Sequence, residues 1–422
     1  MNQIALNRFG IDEIISLYKD KPVIKVLQGI RRSGKSFMLK LLSQRIMENG
    51  ATENQILLLN MEDFENAEFL DSKKLYSFIK SKSEVNREKK LYLFLDEIQE
   101  VSGWEKLVNS LYSSATINAD IYITGSNATL LSSELATYLS GRYVLIHVWP
   151  LSYKEFLYFN SENDSAAMFR KFIEFGGFPG LKDMMENPIQ IRSYLEGIYS
   201  TVLLKDVIAR NRIRDMAVLE KIILYIADNA GNIFSAKRIS DFMKSGGRSL
   251  SVETIYNDIK YLENALVLYK VPRYDVRGKK ILETMEKYYL ADHGLLNFLH
   301  GYKDTYINGI LENIVFIELL RRGWKVFIGK TGDMEIDFVA EKNGEKLYIQ
   351  VAYLINSEET KERELRPLKS LLALCDNFPK LILTMDDLPP SNENGIVRKN
   401  IREWLLEEGK SPQAAVPEAA AS

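Results

Sequence analysis

Gly29-Ile30-Arg31-Arg32-Ser33-Gly34-Lys35-Ser36 decides the reading of this 422-residue chain. The octapeptide fits G-x-x-x-x-G-K-[ST]. The apolar run Val23–Leu27 leads straight into it, and Phe37-x-x-x-Leu41-Leu42-x-x-x-Ile46 leaves it with helical spacing. A loop that wraps phosphates does so with backbone N–H groups, so it needs glycines at angles closed to other residues. Lys35 then places a point charge on the outer phosphates, and the Ser36 hydroxyl is placed to ligate a divalent cation. The following helix turns its N-terminal dipole to the anion. The expected phosphate-binding stretch is Gly29, Ile30, Arg31, Arg32, Ser33, Gly34, Lys35, Ser36 and Phe37.

Working outward, Ile56–Leu59, Leu91–Leu95, Ile121–Ile123 and Val144–Val148 are further short apolar runs separated by helical patterns. They read as strands of a parallel sheet buried on both faces, the α/β signature. The Leu91 run ends in Asp96 and Glu97. Carboxylates at the C-terminal end of a parallel strand sit where ligands bind in such sheets. Asp96, with Ser36, is the expected metal ligand, and Glu97 the base that orients and deprotonates an attacking water. The Ile121 run ends in Thr124-Gly125-Ser126-Asn127. Ser126 or Asn127 either contacts the outer phosphate or the water, or caps the next helix. Arg142 reads equally well as an arginine finger, in cis or from a neighbouring subunit, and as a structural charge.

These stretches resemble a bacterial and archaeal family of AAA-type P-loop ATPases. The resemblance rests on GIRRSGKS (29–36), LFLDEIQEVSGWEKLVNSLY (93–112), YITGSNATLLSSELATYLSGRY (122–143) and VWPLSYKEF (148–156). Further along, GGFPG (176–180), YLEGIYSTVLLKDVIARNRIRD (194–215), YYLADHGLLNF (288–298) and LENIVFIELLRRGWKVF (311–327) resemble the region of unknown function that usually follows this module. The resemblance implies ATP and Mg2+ as cofactors. It also implies a sheet in which the Ile121 strand lies between the two active-site strands.

Length and composition fit several globular modules. Apolar residues make up 46% and charged residues 27%, with 55 Lys/Arg against 57 Asp/Glu. The sum excludes a polycation but not local patches. One cysteine, Cys375, cannot form an intrachain disulfide, and three histidines give no zinc spacing. With neither a signal-peptide pattern nor an 18-residue apolar run, the expected location is cytoplasmic, without membrane contact.

The expected organisation is an ATPase domain over 1–155, a helical lid or connector over 156–229, a winged helix-turn-helix domain over 230–300, a mixed α/β domain over 301–408 and a disordered tail over 409–422. In the third of these, Ser235 caps a first helix, Gly246-Gly247 turns, and Ser251–Leu262 forms a second helix with Ile255, Ile259 and Leu262 inward. Ala265–Val271 and Lys280–Leu282 supply the wing. Residues 231–280 hold ten Lys/Arg and five Asp/Glu, a local +5 in a chain of net −2. Lys260, Arg273, Arg277, Lys279 and Lys280 are the candidate nucleic-acid contacts. Such a set meets phosphates rather than bases, so DNA binding is expected to be salt-sensitive.

In the fourth module, Glu312 at the start of a helical pattern, Asp337 on one strand and Gln350 on the next resemble the restriction-endonuclease-like fold. The position where that fold carries lysine is Ala352, and one carboxylate position is Gln350. The expectation is a degenerate, inactive nuclease-like domain, rescued only by a migrated lysine such as Lys346 or Lys361. Glu335 and Asp337 are otherwise hairpin surface acids. In all, the sequence points to a P-loop NTPase α/β sheet with a helical lid, then a winged helix and a degenerate nuclease-like domain. The partners it suggests are ATP, DNA, a protein bound through the C-terminal domain, and a homo-oligomer through Arg142. The competing readings are a nucleotide-switched protein scaffold without DNA and an ATP-regulated nuclease.

Overall fold

The computed structural model describes residues 10–85, 89–125, 139, 141–202, 207, 208, 211, 213, 215–245, 250–301, 303–355, 357–372 and 376–407. Ser126, Asn127, Cys375, the Gly246-Gly247 turn and the C-terminal tail lie outside them.

The first sheet is parallel, in the order β2-β3-β4-β1-β5. Its strands are β1 (Ile24–Gln28), β2 (Ile56–Asn60), β3 (Leu91–Asp96), β4 (Ala119–Gly125) and β5 (Tyr143–His147). β4 therefore lies between β1 and β3, as the resemblance implied. The expectation of strands buried on both faces holds for the centre: every residue of β3 is buried. It fails at the edges, where Leu58 of β2 and Leu145 of β5 face solvent. An edge strand lacks a neighbour on one side, so helices cover it less completely. Helices Lys35–Glu48 and Trp104–Tyr112 contribute to apolar cores on the two faces. In one of them Lys25 is fully buried and ion-paired with Asp120.

Helices follow: Tyr153–Asn160, Ala166–Phe175, Pro188–Thr201 and Met216–Asp228. Side chains set their starts. Ser152 and Glu155 form a reciprocal capping box, Ser165 accepts from the Met168 N–H, and Asn187 accepts from Ile189 and Gln190. The glycine cluster at 176–180 does more than interrupt this pattern. Asp292, buried after the Tyr288–Leu290 run, accepts the Gly177 and Gly294 N–H groups, each at 2.8 Å. A Cβ at Gly176 would lie 2.1 Å from Asp292 Oδ1. Beside it His293 Nε2 meets the Phe172 carbonyl, and Asn297 donates to the carbonyls of Ile173 and Glu174. These groups satisfy the open carbonyls at the end of helix Ala166–Phe175. Two motifs more than 100 residues apart thus form one buried joint.

Helices Ala236–Ser245 and Val252–Asn264 are followed by an antiparallel pair, β6 (Leu268–Asp275) and β7 (Lys280–Leu290). Ser235 and Ser251 cap the two helices, and Ile255, Ile259 and Leu262 point inward. Two details differ from expectation. Lys280–Leu282, expected to complete the wing, is only the start of one long strand that continues to Leu290, and β6 pairs along both parts. The hairpin also does not end the sheet: β6 runs parallel to β8 (Lys325–Thr331). The second sheet is therefore β12-β13-β11-β10-β9-β8-β6-β7, with β9 at Met334–Lys342, β10 at Glu345–Val351, β11 at Lys380–Thr384, β12 at Ser391–Glu393 and β13 at Ile396–Asn400. Residues 230–300 and 301–407 share this sheet and an apolar core. Helix Ile307–Arg321 packs on it and places Glu312 in its second turn rather than at its start.

The two sheets meet through aromatic side chains. His147, at the end of β5, stacks on Trp149 with centroids 3.7 Å apart, and its Nε2 lies 2.9 Å from the Tyr269 hydroxyl on β6. Arg321 donates to the Pro150 carbonyl.

Two stability predictions follow from these contacts. Asp292→Ala orphans two buried N–H groups, each costing about 1–3 kcal/mol, so a clear fall in the urea midpoint is expected. Burial, then the charges of Lys35 and Arg321, push the His147 imidazole down to about 3. An unfolded imidazole titrates near ~6.5, so protons favour the unfolded chain below that pH. The contribution of His147 is complete above it and is lost as pH falls toward 3, by at most about 1.4 kcal/mol per pH unit. His147→Gln should therefore lose less stability than the parent between pH 7 and pH 5, measured by urea denaturation at each pH.

Candidate nucleotide site

The loop from Gly29 to Gly34 joins the end of β1 to helix Lys35–Glu48. Its backbone takes the conformations that the glycine spacing demands. Gly34 has φ 98°, and Arg32 also sits in the left-handed region at φ 65°. A Cβ at Gly29 would lie 2.2 Å from the Val148 carbonyl oxygen, so only glycine fits beside the chain leaving β5. Ile30 is 2% exposed and packs into the large core shared by the helical segment and the second sheet. Phe37 meets Phe159 edge to face at 5.9 Å, so its side chain links the first helix to the connector. Arg31 reaches Glu62 at 3.5 Å.

Lys35 is buried, and its Nζ donates to the carbonyls of Gly29 (3.1 Å) and Ile30 (3.3 Å). The ammonium is thus held inside the curve of the loop at the head of the helix. Asp96 ends β3 and is buried. Desolvation pushes its carboxyl above the usual range, opposed by hydrogen bonds from the Ser36 and Thr124 hydroxyls. Ser36 and Asp96, the two expected metal ligands, are therefore side-chain partners. A buried carboxylate whose ionised form is disfavoured gains from a cation placed beside it. This donor set of carboxylate, hydroxyl and loop amides fits a Mg2+–nucleotide.

Glu97 follows in the left-handed region (φ 51°, ψ 48°) and is buried. That conformation is costly for a non-glycine residue and ends the strand at Asp96. Its carboxylate accepts from the Gln99 side chain, and its backbone N–H donates to Thr124 Oγ1 at 2.9 Å. Thr124 bonds to both acidic residues, at the end of the strand between β1 and β3. The reading of this strand end stopped at Ser126 and Asn127, which are not among the described residues. The small polar run was the available signal, but which member reaches the acids is set by strand register.

Arg142 is placed differently from the expectation of a finger acting in its own chain. It precedes β5, and its carbonyl accepts from Ile24 at the start of β1. The phosphate loop leaves the other end of that strand, where Gln28 pairs with His147. Four strand steps of ~3.3 Å separate the two edges. The guanidinium meets Asn109 Oδ1 (2.9 Å) and Ser113 Oγ (3.3 Å). Within one chain it cannot reach the phosphates, because parallel strands send their starts and ends to opposite edges.

Of the candidate nucleic-acid residues, Arg277, Lys279 and Lys280 are exposed at the β6–β7 turn, and Lys260 is exposed but paired with Glu263. Arg273 is a correction. It is 9% exposed and its Nη1 points to the Met285 sulfur, because its strand position turns inward. In the last module Glu312, Asp337 and Gln350 do come together: Asp337 and Gln350 sit on paired strands, and Gln350 donates to Glu364 at 3.1 Å. Neither suggested lysine joins them. Lys346 pairs with Glu341 and Lys361 with Glu393. Glu335 is not simply a surface acid either, since it meets the buried Lys287 at 2.8 Å.

Residues 21–157 match the family model described as AAA domain, and residues 166–306 match a domain of unknown function, DUF8612. An uncharacterized protein of Haemophilus influenzae is 39% identical over 96% of this chain and 100% of its own length. One from Methanocaldococcus jannaschii is 31% identical over 86% of this chain and 82% of its own. Among solved structures, a Walker-type ATPase of Pyrococcus abyssi is similar at 15% identity, covering 68% of this chain and 93% of that one, with a TM-score of 0.47. By its family-model matches and its identity to the two relatives, the chain belongs to a family of AAA-type P-loop ATPases, represented in both H. influenzae and M. jannaschii, whose nucleotide module is followed by a region of unknown function.

Proposed function

We propose that the protein is a Mg2+-dependent ATPase that works as a nucleotide-driven switch and associates with DNA. The observation that carries the hydrolytic part is the convergence of Lys35, Ser36, Asp96 and Glu97 at one edge of the parallel sheet, with Thr124 bonded to both acidic residues. The loop amides and Lys35 bind and orient the triphosphate. Ser36 and Asp96 hold Mg2+, which supplies charge neutralisation on the outer phosphates. Glu97 takes the proton of the attacking water, and Thr124 fixes Asp96 and the Glu97 backbone relative to β4. Arg142 is available only to a neighbouring copy.

The switch rests on the attachments of the loop. Ile30 is packed in the core of the later modules, Phe37 touches the connector, and the β5 exit that confines Gly29 also carries the His147–Tyr269 contact to β6. A nucleotide that moves the loop must disturb these contacts. DNA association is supported by the exposed Arg277, Lys279 and Lys280 at the hairpin tip of a helix-turn-helix-like pair, and by the local +5 charge. Buried Arg273 and paired Lys260 favour the second reading, a nucleotide-switched protein scaffold without nucleic acid.

Glu97→Gln should retain ATP and lower turnover by about 10²-fold or more, read as phosphate release beside nucleotide binding; unchanged turnover would remove Glu97 as the base. In an electrophoretic shift at ~50 mM salt the protein should retard duplex DNA, with affinity falling as salt rises. Replacing Arg277, Lys279 and Lys280 with Ala should weaken binding on every sequence alike. No retardation at low salt would leave the scaffold reading.

A further inference from the structure

Lys287 has no part in the nucleotide site, yet it is the most completely enclosed cation of the second sheet. It lies on β7, and its side chain is 1% exposed. Its Nζ is 2.8 Å from Glu335 Oε1, 3.3 Å from Glu312 Oε2 and 3.9 Å from Asp337 Oδ1. The three acids come from two elements. Glu312 projects from helix Ile307–Arg321. Glu335 and Asp337, two residues apart on β9, share a strand face. The cation comes from a third element, the β6–β7 hairpin.

The acids are also held from outside the pair contacts. Glu312 Oε2 accepts the Tyr289 hydroxyl at 2.7 Å, and Asp337 Oδ2 accepts the Val351 N–H at 2.8 Å. A Cβ at Gly231 would lie 3.0 Å from Glu312 Oε1, so backbone closes that side. Among the described residues, no group of three His, Cys, Asp or Glu side chains is arranged to hold a metal ion.

Three carboxylates within 4 Å of one point supply oxygen ligands of the kind a hard divalent cation takes, but as they stand around the ammonium they are not arranged to hold a metal ion. Left without a cation in a poorly solvated interior, they repel one another strongly. Here the point is an ammonium. Burial alone would lower the Lys287 pKa, but the carboxylates of Glu312, Asp337 and Glu335 outweigh it and hold the lysine above its usual range. Burial, followed by the neighbouring Glu312, pushes Asp337 well above the usual carboxylate range.

We propose that Lys287 is the resident cation of this cluster: its ammonium takes the place of a divalent ion, closes Glu312, Glu335 and Asp337 to metal, and fastens the hairpin to helix Ile307–Arg321 and β9. The cluster is then a joint between the hairpin and the rest of the sheet, not a hydrolytic centre. This inference is independent of the ATPase reading.

The test is a Mn2+ titration of the nucleotide-free, full-length protein, followed by electron paramagnetic resonance of the free ion. The parent and Asp337→Asn should bind equal numbers of ions. Lys287→Ala should bind one more, and Lys287→Ala/Asp337→Asn should lose it again. Mn2+ should also raise the melting temperature of Lys287→Ala above any rise seen in the parent. Should Lys287→Ala fail to fold, Lys287→Ser, which removes the ammonium and keeps all three carboxylates, takes its place with the same expected gain. Two results overturn the proposal: an ion bound by the parent that Asp337→Asn abolishes, or a folded lysine-free variant that gains no ion.

Discussion

The close approach of the Gly29 backbone to the Val148 carbonyl is the constraint on which the rest of this molecule depends. The phosphate loop must be free of side chains on its inner surface to curl around an anion, and here it must be free of one on its outer surface as well. With no Cβ at Gly29, the chain leaving β5 packs directly on the loop. That contact fixes where β5 exits, and therefore where His147, Trp149 and Pro150 meet Tyr269 and Arg321 of the later modules. Ile30 adds an apolar anchor from the loop into the same core. The nucleotide loop is thus built into the joint between the two sheets, and its shape and the placement of the second sheet are one problem.

Buried charge is handled in a consistent way. Lys25 pairs with Asp120 within the first sheet, Asp292 accepts two glycine N–H groups, and Lys287 is surrounded by Glu312, Glu335 and Asp337. Removing one member of such a set is far more costly than never having had it, because the partner keeps its charge without compensation. All three sets join distant stretches: Lys25 and Asp120 join β1 to β4, Asp292 joins the glycine cluster at 176–180 to the Tyr288–Phe298 segment, and Lys287 joins the hairpin to helix Ile307–Arg321 and β9. Charged and polar groups therefore specify how the later modules sit together, while apolar area supplies the bulk of their burial.

Much of the nucleotide site was legible in the sequence because its parts are local. A glycine-rich turn followed by Lys35 and Ser36 has one physical purpose, and a fully apolar strand ending in Asp96 and Glu97 places its acids by chain geometry alone. Thr124 escaped because which hydroxyl at the end of β4 reaches the acids depends on register, and adjacent residues point to opposite faces. Arg142 reads from sequence equally as a finger or a structural charge, because proximity in sequence to β5 says nothing about which end of a parallel strand lies near the loop; the structure bonds it to Asn109 and Ser113. Arg273 looked like a surface charge by composition, yet strand alternation turns it inward. Glu312, Asp337 and Gln350 are singled out by the resemblance to a nuclease-like fold, which points to Lys346 and Lys361 for a migrated lysine, yet neither joins the acids. The lysine among them is Lys287, on a hairpin that no local pattern places in the same sheet.

The sequence by itself determined the parallel α/β sheet, the phosphate loop and the identity of the acids that serve it, because each is encoded by short-range spacing and by the two periodicities of strand and helix. Only the tertiary structure decided that Thr124 links Asp96 to Glu97, that Arg142 faces away from its own phosphate loop, and that one lysine closes the acidic cluster of the second sheet. These facts depend on strand order, register and the docking of elements more than twenty residues apart, which no local pattern of residues carries.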